Sequence, residues 1–376
     1  KKIELNYLYT LEGPGYPTGF HKLFYYLKIP LNIVENYGCF VPIISDSLLL
    51  LVTAFSINLY GGNNFVWLLF FPFLRIFFGN QGRSQHFTER AYGVLWGNIY
   101  LLCTIGFVES FYVDNNWFLL LIANFAFLIF SVSSKFAWQG SFFISLILSL
   151  ISLRPIYIFV YLASTFLSFI ITKGYSLEVL KGLIRFSFFY KTYLGPRSVD
   201  VKEGHYSKLF KWKGIREFCI SLFIASPLRV ITDNPLNLII LFIFLPNSFD
   251  IWMKWSLVGV FLTLIISLKS FSFLGEPERY LEFSIIPVFI TLSKSQFLDI
   301  PPIIISLTIL STLAVLFFHL KLCIQKKDRK KRLQESMLSL KNYFRRVNNS
   351  NIITIPFRLS FFLGYNNQNK NKFITL

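Results

Sequence analysis

Acidic residues are scarce in this chain, with 19 Asp and Glu against 37 Lys and Arg for a net charge of +18. Charged residues of either sign reach only 15%, whereas hydrophobic residues make up 54%. That balance leaves too little polar surface for a soluble globular protein, so a soluble enzyme or binding module is excluded and a polytopic membrane protein is expected. Cysteine is equally sparse. Cys39, Cys103, Cys219 and Cys323 are scattered without a CxxC pair, which excludes a zinc ribbon or a disulfide framework. There is no P-loop, Rossmann fingerprint, HExxH or GxSxG, so soluble-type nucleotide or hydrolase chemistry has no support. No signal-peptide pattern opens the chain at Lys1, and a preceding segment is expected.

The basic excess would suggest a nucleic-acid partner in a soluble protein. Here the Lys and Arg residues gather between apolar runs, where positive-inside bias and anionic lipid account for them, and no nucleic-acid role is expected. The 45 Phe are read as lipid-facing or packing residues.

Residues 1–37 form a polar and amphipathic first loop. Its Gly and Pro density forces turns, and a helix beginning near Thr18 would carry His21 in its first turn. Residues 38–323 form the multi-span domain, with apolar runs near 38–60, 65–79, 92–110, 117–132, 139–153, 155–172, 217–231, 235–249, 252–269, 281–293 and 301–323. Several fall short of the roughly 20 residues that span a bilayer, so broken or internally packed helices are expected. The run at 281–293, bent by Pro287, is the first candidate for a re-entrant segment. The fold class is therefore all-α and polytopic, with about 10 to 11 transmembrane or re-entrant helices. Within it, residues 173–216 carry ten basic residues against three acids, which reads as cytoplasmic, with an interfacial amphipathic helix near Leu177 to Tyr190. Residues 324–376 change to a basic amphipathic helix and the start of a soluble segment that alternates like strand and turn.

Three polar islands interrupt the apolar runs. The first holds Glu12 and His21. The second runs from Gly82 to Gly93, where a helix begun near Ser84 would place His86, Glu89 and Arg90 on one face. The third is Gly275-Glu276-Pro277-Glu278-Arg279-Tyr280-Leu281-Glu282, three carboxylates and one guanidinium in eight residues. Charges at a membrane boundary are costly unless paired or facing a polar cavity, so such a cluster marks a candidate site. The plainer reading is an interfacial loop in which Arg279 pairs with Glu276 or Glu282. Islands of this kind suit a substrate that is half lipid and half polar.

The sequence Glu276-Pro277-Glu278-Arg279-Tyr280 followed by Ile285-Ile286-Pro287, together with the early Glu12 and His21, resembles the GT-C superfamily of integral-membrane glycosyltransferases. The resemblance implies a polyprenyl-(di)phosphate sugar donor, a glycan, lipid or protein acceptor, and a place in the plasma (inner) membrane among polysaccharide-assembly proteins. It also implies that the acidic islands lie on the non-cytoplasmic side, with Glu12 as general base or, if a divalent cation such as Mg or Mn is used, its ligand. Here the first-loop acid is Glu12 rather than the more usual Asp, and the late motif lacks its leading His-Lys. A partly buried glutamate can take the acceptor proton, with His21 orienting it or the acceptor. Arg279 would hold the donor phosphate as its negative charge develops, Glu276 would set the Arg279 rotamer, and Tyr280 would line the pocket. His86, Glu89 and Arg90 are second candidates for phosphate or sugar contact. Rival classes are an O-antigen-type polymerase or ligase that uses the basic 173–216 segment, a flippase for lipid-linked sugars, and a membrane scaffold.

Overall fold

A computed structural model describes residues 19–29, 40–74, 89–110, 116–189, 191–192, 206, 214–215, 226–243, 250–294, 300–314, 316–317, 351–354 and 372–375. The chain divides into two units. In the unit comprising Lys1–Gly13 and Phe317–Leu376, the described elements are two short strands, β1 (Asn351–Thr354) and β2 (Lys372–Thr375). They pair in parallel, with Asn351 opposite Lys372. Both fall in the stretch read as strand and turn.

The unit Pro14–Leu316 is helical throughout its described residues. Its helices are α1 (Gly19–Tyr26), α2 (Phe40–Leu59), α3 (Glu89–Ser110), α4 (Trp117–Ser133), α5 (Lys135–Ser152), α6 (Ile156–Ile171) and α7 (Tyr175–Phe189). They continue with α8 (Ser226–Asp233), α9 (Asn237–Ile243), α10 (Ile251–Ile266), α11 (Ile285–Lys294) and α12 (Pro302–Ala314). Three of them, α2, α3 and α5, are long and apolar enough to cross a membrane, and α4, α6, α10 and α12 are shorter apolar helices. The protein is thus helical and membrane-associated.

Apolarity serves two purposes in this bundle. In α2, Ile43, Ile44, Leu48, Leu51 and Phe55 are exposed, and α6 presents Phe159, Leu162, Phe166 and Ile170 in the same way. Exposed stripes of this size are stable only against hydrocarbon. By contrast, α3 is buried along most of its length. At 22 residues it is about 33 Å long, and it runs through the middle of the unit with α2, α4, α5 and α6 around it. Close packing relies on small residues, as expected where lipid supplies no hydrophobic drive between helices. Ser134 caps α5 by accepting from the Ala137 amide at 3.3 Å, and Ser149 accepts from the Ile158 amide of α6 at 3.0 Å. The two helices are joined by Leu153, whose φ of 52° places it in the left-handed region, and Arg154-Pro155.

Between α10 and α11 the chain forms a 3-10 helix, Pro277–Ser284, that enters the bundle rather than skirting it. The Phe283 ring is seated between two helices at Gly97 of α3 and Gly140 of α5. A Cβ on either glycine would stand 2.5 or 2.6 Å from a ring carbon of Phe283. From there α11 continues inward, with every residue from Ile285 to Ser293 buried. Ten residues reach only about 15 Å, half of a bilayer core, and the whole 281–293 run is buried inside the protein.

Two other runs depart from expectation. Residues 226–231, read as the end of an apolar run, belong to α8, which is polar enough to carry Arg229 and Asp233. Within 235–249, the helix covers Asn237–Ile243, and residues 244–249 lie outside the described set.

The glycine seats give the first test. Gly140→Ala should destabilise the protein by about 1–3 kcal/mol through overpacking, and Phe283→Leu on that background should recover part of the loss. Chemical denaturation in detergent micelles reads both, and a neutral Gly140→Ala would show that the turn is not seated there.

Candidate functional site

The Pro277–Ser284 turn gathers charged residues from three separate stretches of chain, and its threefold period explains how. In a 3-10 helix the side chains at i and i+3 eclipse, which sorts the turn into three faces. Pro277, Tyr280 and Phe283 form an aromatic face packed on α5, with Phe136 at 5.4 Å from Tyr280 and 5.5 Å from Phe283, centroid to centroid. Glu278, Leu281 and Ser284 face α8 and α10, where the Glu278 carboxylate pairs with Arg229 and the Ser284 hydroxyl donates to the Trp255 carbonyl at 3.4 Å. Glu276, Arg279 and Glu282 form the charged face. Glu276 stands at the helix-capping position but caps nothing, because its Oε2 accepts from Arg279 Nε at 2.6 Å. Glu282 pairs with Arg90 at the start of α3.

Two further contacts lock the turn. Asn98 Nδ2 donates to the Glu282 carbonyl at 2.8 Å, and Gln139 Nε2 to the Leu274 carbonyl at 3.1 Å. On α8, Arg229 Nε lies 3.0 Å from Asp233 Oδ2 one turn away, so a single guanidinium sits between two carboxylates. The helix is framed for this, with Pro227 in its first turn and Asn234-Pro235 ending it.

Burial separates the three arginines by role. Arg90 and Glu282 are 14% and 1% exposed, and Arg229 and Glu278 are 11% and 6% exposed. Pairs this deep are structural, since removing one partner leaves an uncompensated buried charge. Arg279 and Glu276 are 31% and 34% exposed, so this pair can exchange a partner with an arriving ligand. The Arg279 guanidinium also lies over the Phe136 ring, 5.4 Å from its centroid. Burial pushes the Glu276 carboxyl upward, but the charges of Arg279, Arg90 and Arg229 outweigh it and hold the group below the usual carboxylate range.

The sequence-predicted residues fare differently. Glu276, Arg279 and Arg90 meet in one cluster, so the second and third islands, 192 residues apart at Arg90 and Glu282, are one site. Tyr280 is fully buried against Phe136 and Phe143 and packs the turn instead of lining a pocket. Glu89 opens α3 beside Arg90. His21 lies in the first turn of α1, whose Phe20 ring packs at a tilt on Tyr92, 5.4 Å between centroids, so the first island's helix lies against the start of α3. Glu12 and His86 lie outside the described residues. Arg229, Asp233, Asn98 and Gln139 were not foreseen. The signal for the first two was an Arg and an Asp at i, i+4 spacing between prolines.

Among the described residues, no group of three or more His, Cys, Asp or Glu side chains is placed to hold a metal. Each carboxylate of the cluster faces a guanidinium, an arrangement that does not fit a divalent cation. In the basic segment, Lys191 Nζ lies 5.2 Å from the Phe273 ring centroid, which brings that lysine to the residues that lead into the late island. No family model, no curated protein and no solved structure matches the chain.

Two outcomes follow from the pairing. Glu282→Leu should cost about 3–5 kcal/mol by stranding Arg90, whereas Arg90→Leu with Glu282→Leu should lie near wild type. Denaturant titration of the single and double variants decides this, and equal losses would refute a paired lock. For Glu276, whose folded pKa is depressed, the stabilisation is complete above the unfolded value of 4.5 and is lost as pH falls through the folded pKa. The melting temperatures of wild type and Glu276→Gln should therefore differ above pH 4.5 and converge in more acid solution.

Proposed function

We propose that this chain is a polytopic membrane glycosyltransferase of the GT-C kind, in the plasma membrane, moving a sugar from a polyprenyl-(di)phosphate donor to a glycan, lipid or protein acceptor of the cell envelope. The observation that carries the reading is the partly exposed Arg279–Glu276 pair, mounted on a turn that two buried arginine–carboxylate pairs hold rigid. A fixed guanidinium whose pairing with a carboxylate is partly exposed suits a leaving phosphate, whose charge grows as the glycosidic bond breaks. In the proposed step the acceptor hydroxyl gives its proton to a general base, and its oxygen bonds to the anomeric carbon. The bond from that carbon to the phosphate oxygen breaks, and the electron pair leaves on the phosphate beside Arg279. Glu276 is displaced from Arg279 as the phosphate binds, and His21 orients base or acceptor.

A second reading, an O-antigen-type polymerase or ligase, is favoured by one specific observation. Lys191 of the basic segment lies over Phe273, six residues before Arg279, and a reaction using cationic residues of a large loop would need such proximity.

Two measurements test these readings. Transfer of labelled sugar from a polyprenyl-phosphate donor by membranes carrying Arg279→Gln should fall by about 10²- to 10³-fold relative to wild type, with protein level unchanged. Single cysteines at Arg185 and Phe271, in a background lacking the four native ones, should label from the same side of intact cells. Labelling of both from outside supports consumption of lipid-linked sugars there. Labelling of both from inside overturns the GT-C reading.

A further inference from the structure

An open cavity of about 540 Å³ lies beside the charged turn, lined by α5, α6, α7 and the Phe273-Leu274 segment. It falls in the size range of ligand sites, and Trp138, Phe142, Phe143 and Leu183 make its wall almost wholly apolar. Its mouth is unusual. Leu162, Ile184 and Phe188 line it and are 50%, 62% and 66% exposed, and Leu162 continues the exposed stripe of Phe159, Phe166 and Ile170 on α6. An opening rimmed by exposed apolar side chains, continuous with a lipid-facing stripe, gives onto hydrocarbon and admits its occupant from the bilayer.

Polar groups mark which way that occupant lies. Lys191 is exposed at the rim, its ammonium over Phe273. At the same segment Gln139 holds the Leu274 carbonyl, two residues before Glu276. An apolar slot with a cation at one edge is complementary to an amphiphile that has a hydrocarbon chain and an anionic head.

We propose that the α5–α6–α7 cavity is the seat of a single hydrocarbon chain of a lipid phosphate that enters sideways from the bilayer between α6 and α7, with Lys191 holding its head. The inference rests on the proposed function only for the identity of the head as a phosphate. It assigns to α7 a role in binding as well as in membrane anchorage, and it places the reacting end of the lipid next to the segment that leads to Glu276 and Arg279.

The test uses the full chain in phosphatidylcholine nanodiscs, with diazirine-bearing farnesyl phosphate as probe and diazirine-bearing farnesol as its uncharged counterpart. Crosslinks to the phosphate probe should map to 138–143 and 180–191. Ser187→Trp, which fills the slot from α7, should cut them by about tenfold, and Leu183→Phe should do the same if the first variant does not fold. Lys191→Gln should lower the yield of the phosphate probe to that of farnesol, and excess inorganic phosphate should leave wild-type labelling in place. Equal labelling by both probes in wild type, labelling unmoved by both filling variants, or full displacement by inorganic phosphate would overturn the proposal. The two readings also fail separately. Site-specific labelling without any sugar transfer leaves the lipid seat standing and removes the transferase, whereas sugar transfer in a protein whose labelling is unmoved by both filling variants does the reverse.

Discussion

The buried pairing of Arg90 with Glu282 and of Arg229 with Glu278 is the constraint on which the rest of the unit is arranged. Each ion taken from water costs several kcal/mol even after relaxation, so such pairs add little net stability over apolar residues of the same volume. Their effect is on specificity. A 3-10 turn of eight residues is longer than the runs such geometry usually sustains, and a flexible loop at this position would leave four charges without partners. Arg90 and Arg229 come from helices on different sides of the turn. They fix both its rotation and its depth, and Phe283, seated between Gly97 and Gly140, then fixes the depth a second time by shape.

That arrangement also decides which charge can act on a ligand. Among the described residues four carboxylates, Asp233, Glu276, Glu278 and Glu282, meet three guanidinium groups, so each arginine of the cluster already faces a carboxylate. An anion must replace a carboxylate at one arginine, and replacement requires access. Arg279 has it, and its stacking on Phe136 keeps the guanidinium in place while Glu276 leaves. Rigidity elsewhere in the turn is thus what allows one pair to be exchangeable.

Much of the helical layout was legible from apolar runs, because a stretch such as Phe40–Leu59 or Trp117–Ser133 has few alternatives to a helix in or beside lipid. Runs alone did not distinguish α2, with 33% of its most apolar window buried, from α3, with 83%. Lipid and protein core are equally apolar solvents, and only tertiary contacts tell which one a Leu faces. The charged turn was legible as an island, and so was the Arg279–Glu276 pair. Its partners were not, since Arg90 lies 192 positions from Glu282 and Arg229 is hidden at the end of an apolar run. The threefold sorting of faces was equally out of reach, because i, i+3 spacing is shared by α- and 3-10 helices and the difference is set by packing.

The placement of the basic segment changes what charge bias can say about sidedness. Positive residues orient a chain when they lie in short loops that remain on the cytoplasmic side, and taken alone residues 173–216 meet that description. Yet α7 is no free loop. Its Val179 is buried, Lys22 of α1 lies over the Tyr175 ring at 4.6 Å, and Leu180 and Leu183 line a cavity beside the charged turn. Basic residues on such a helix serve the surface they lie on, and an anionic lipid surface rewards them on either face of a membrane. Their charge therefore does not assign a side to the arginine cluster. Lys191 over the Phe273 ring ties the end of α7 to the segment that leads into the charged turn, so the side on which the turn lies has to be read from that packing and not from the count of basic residues.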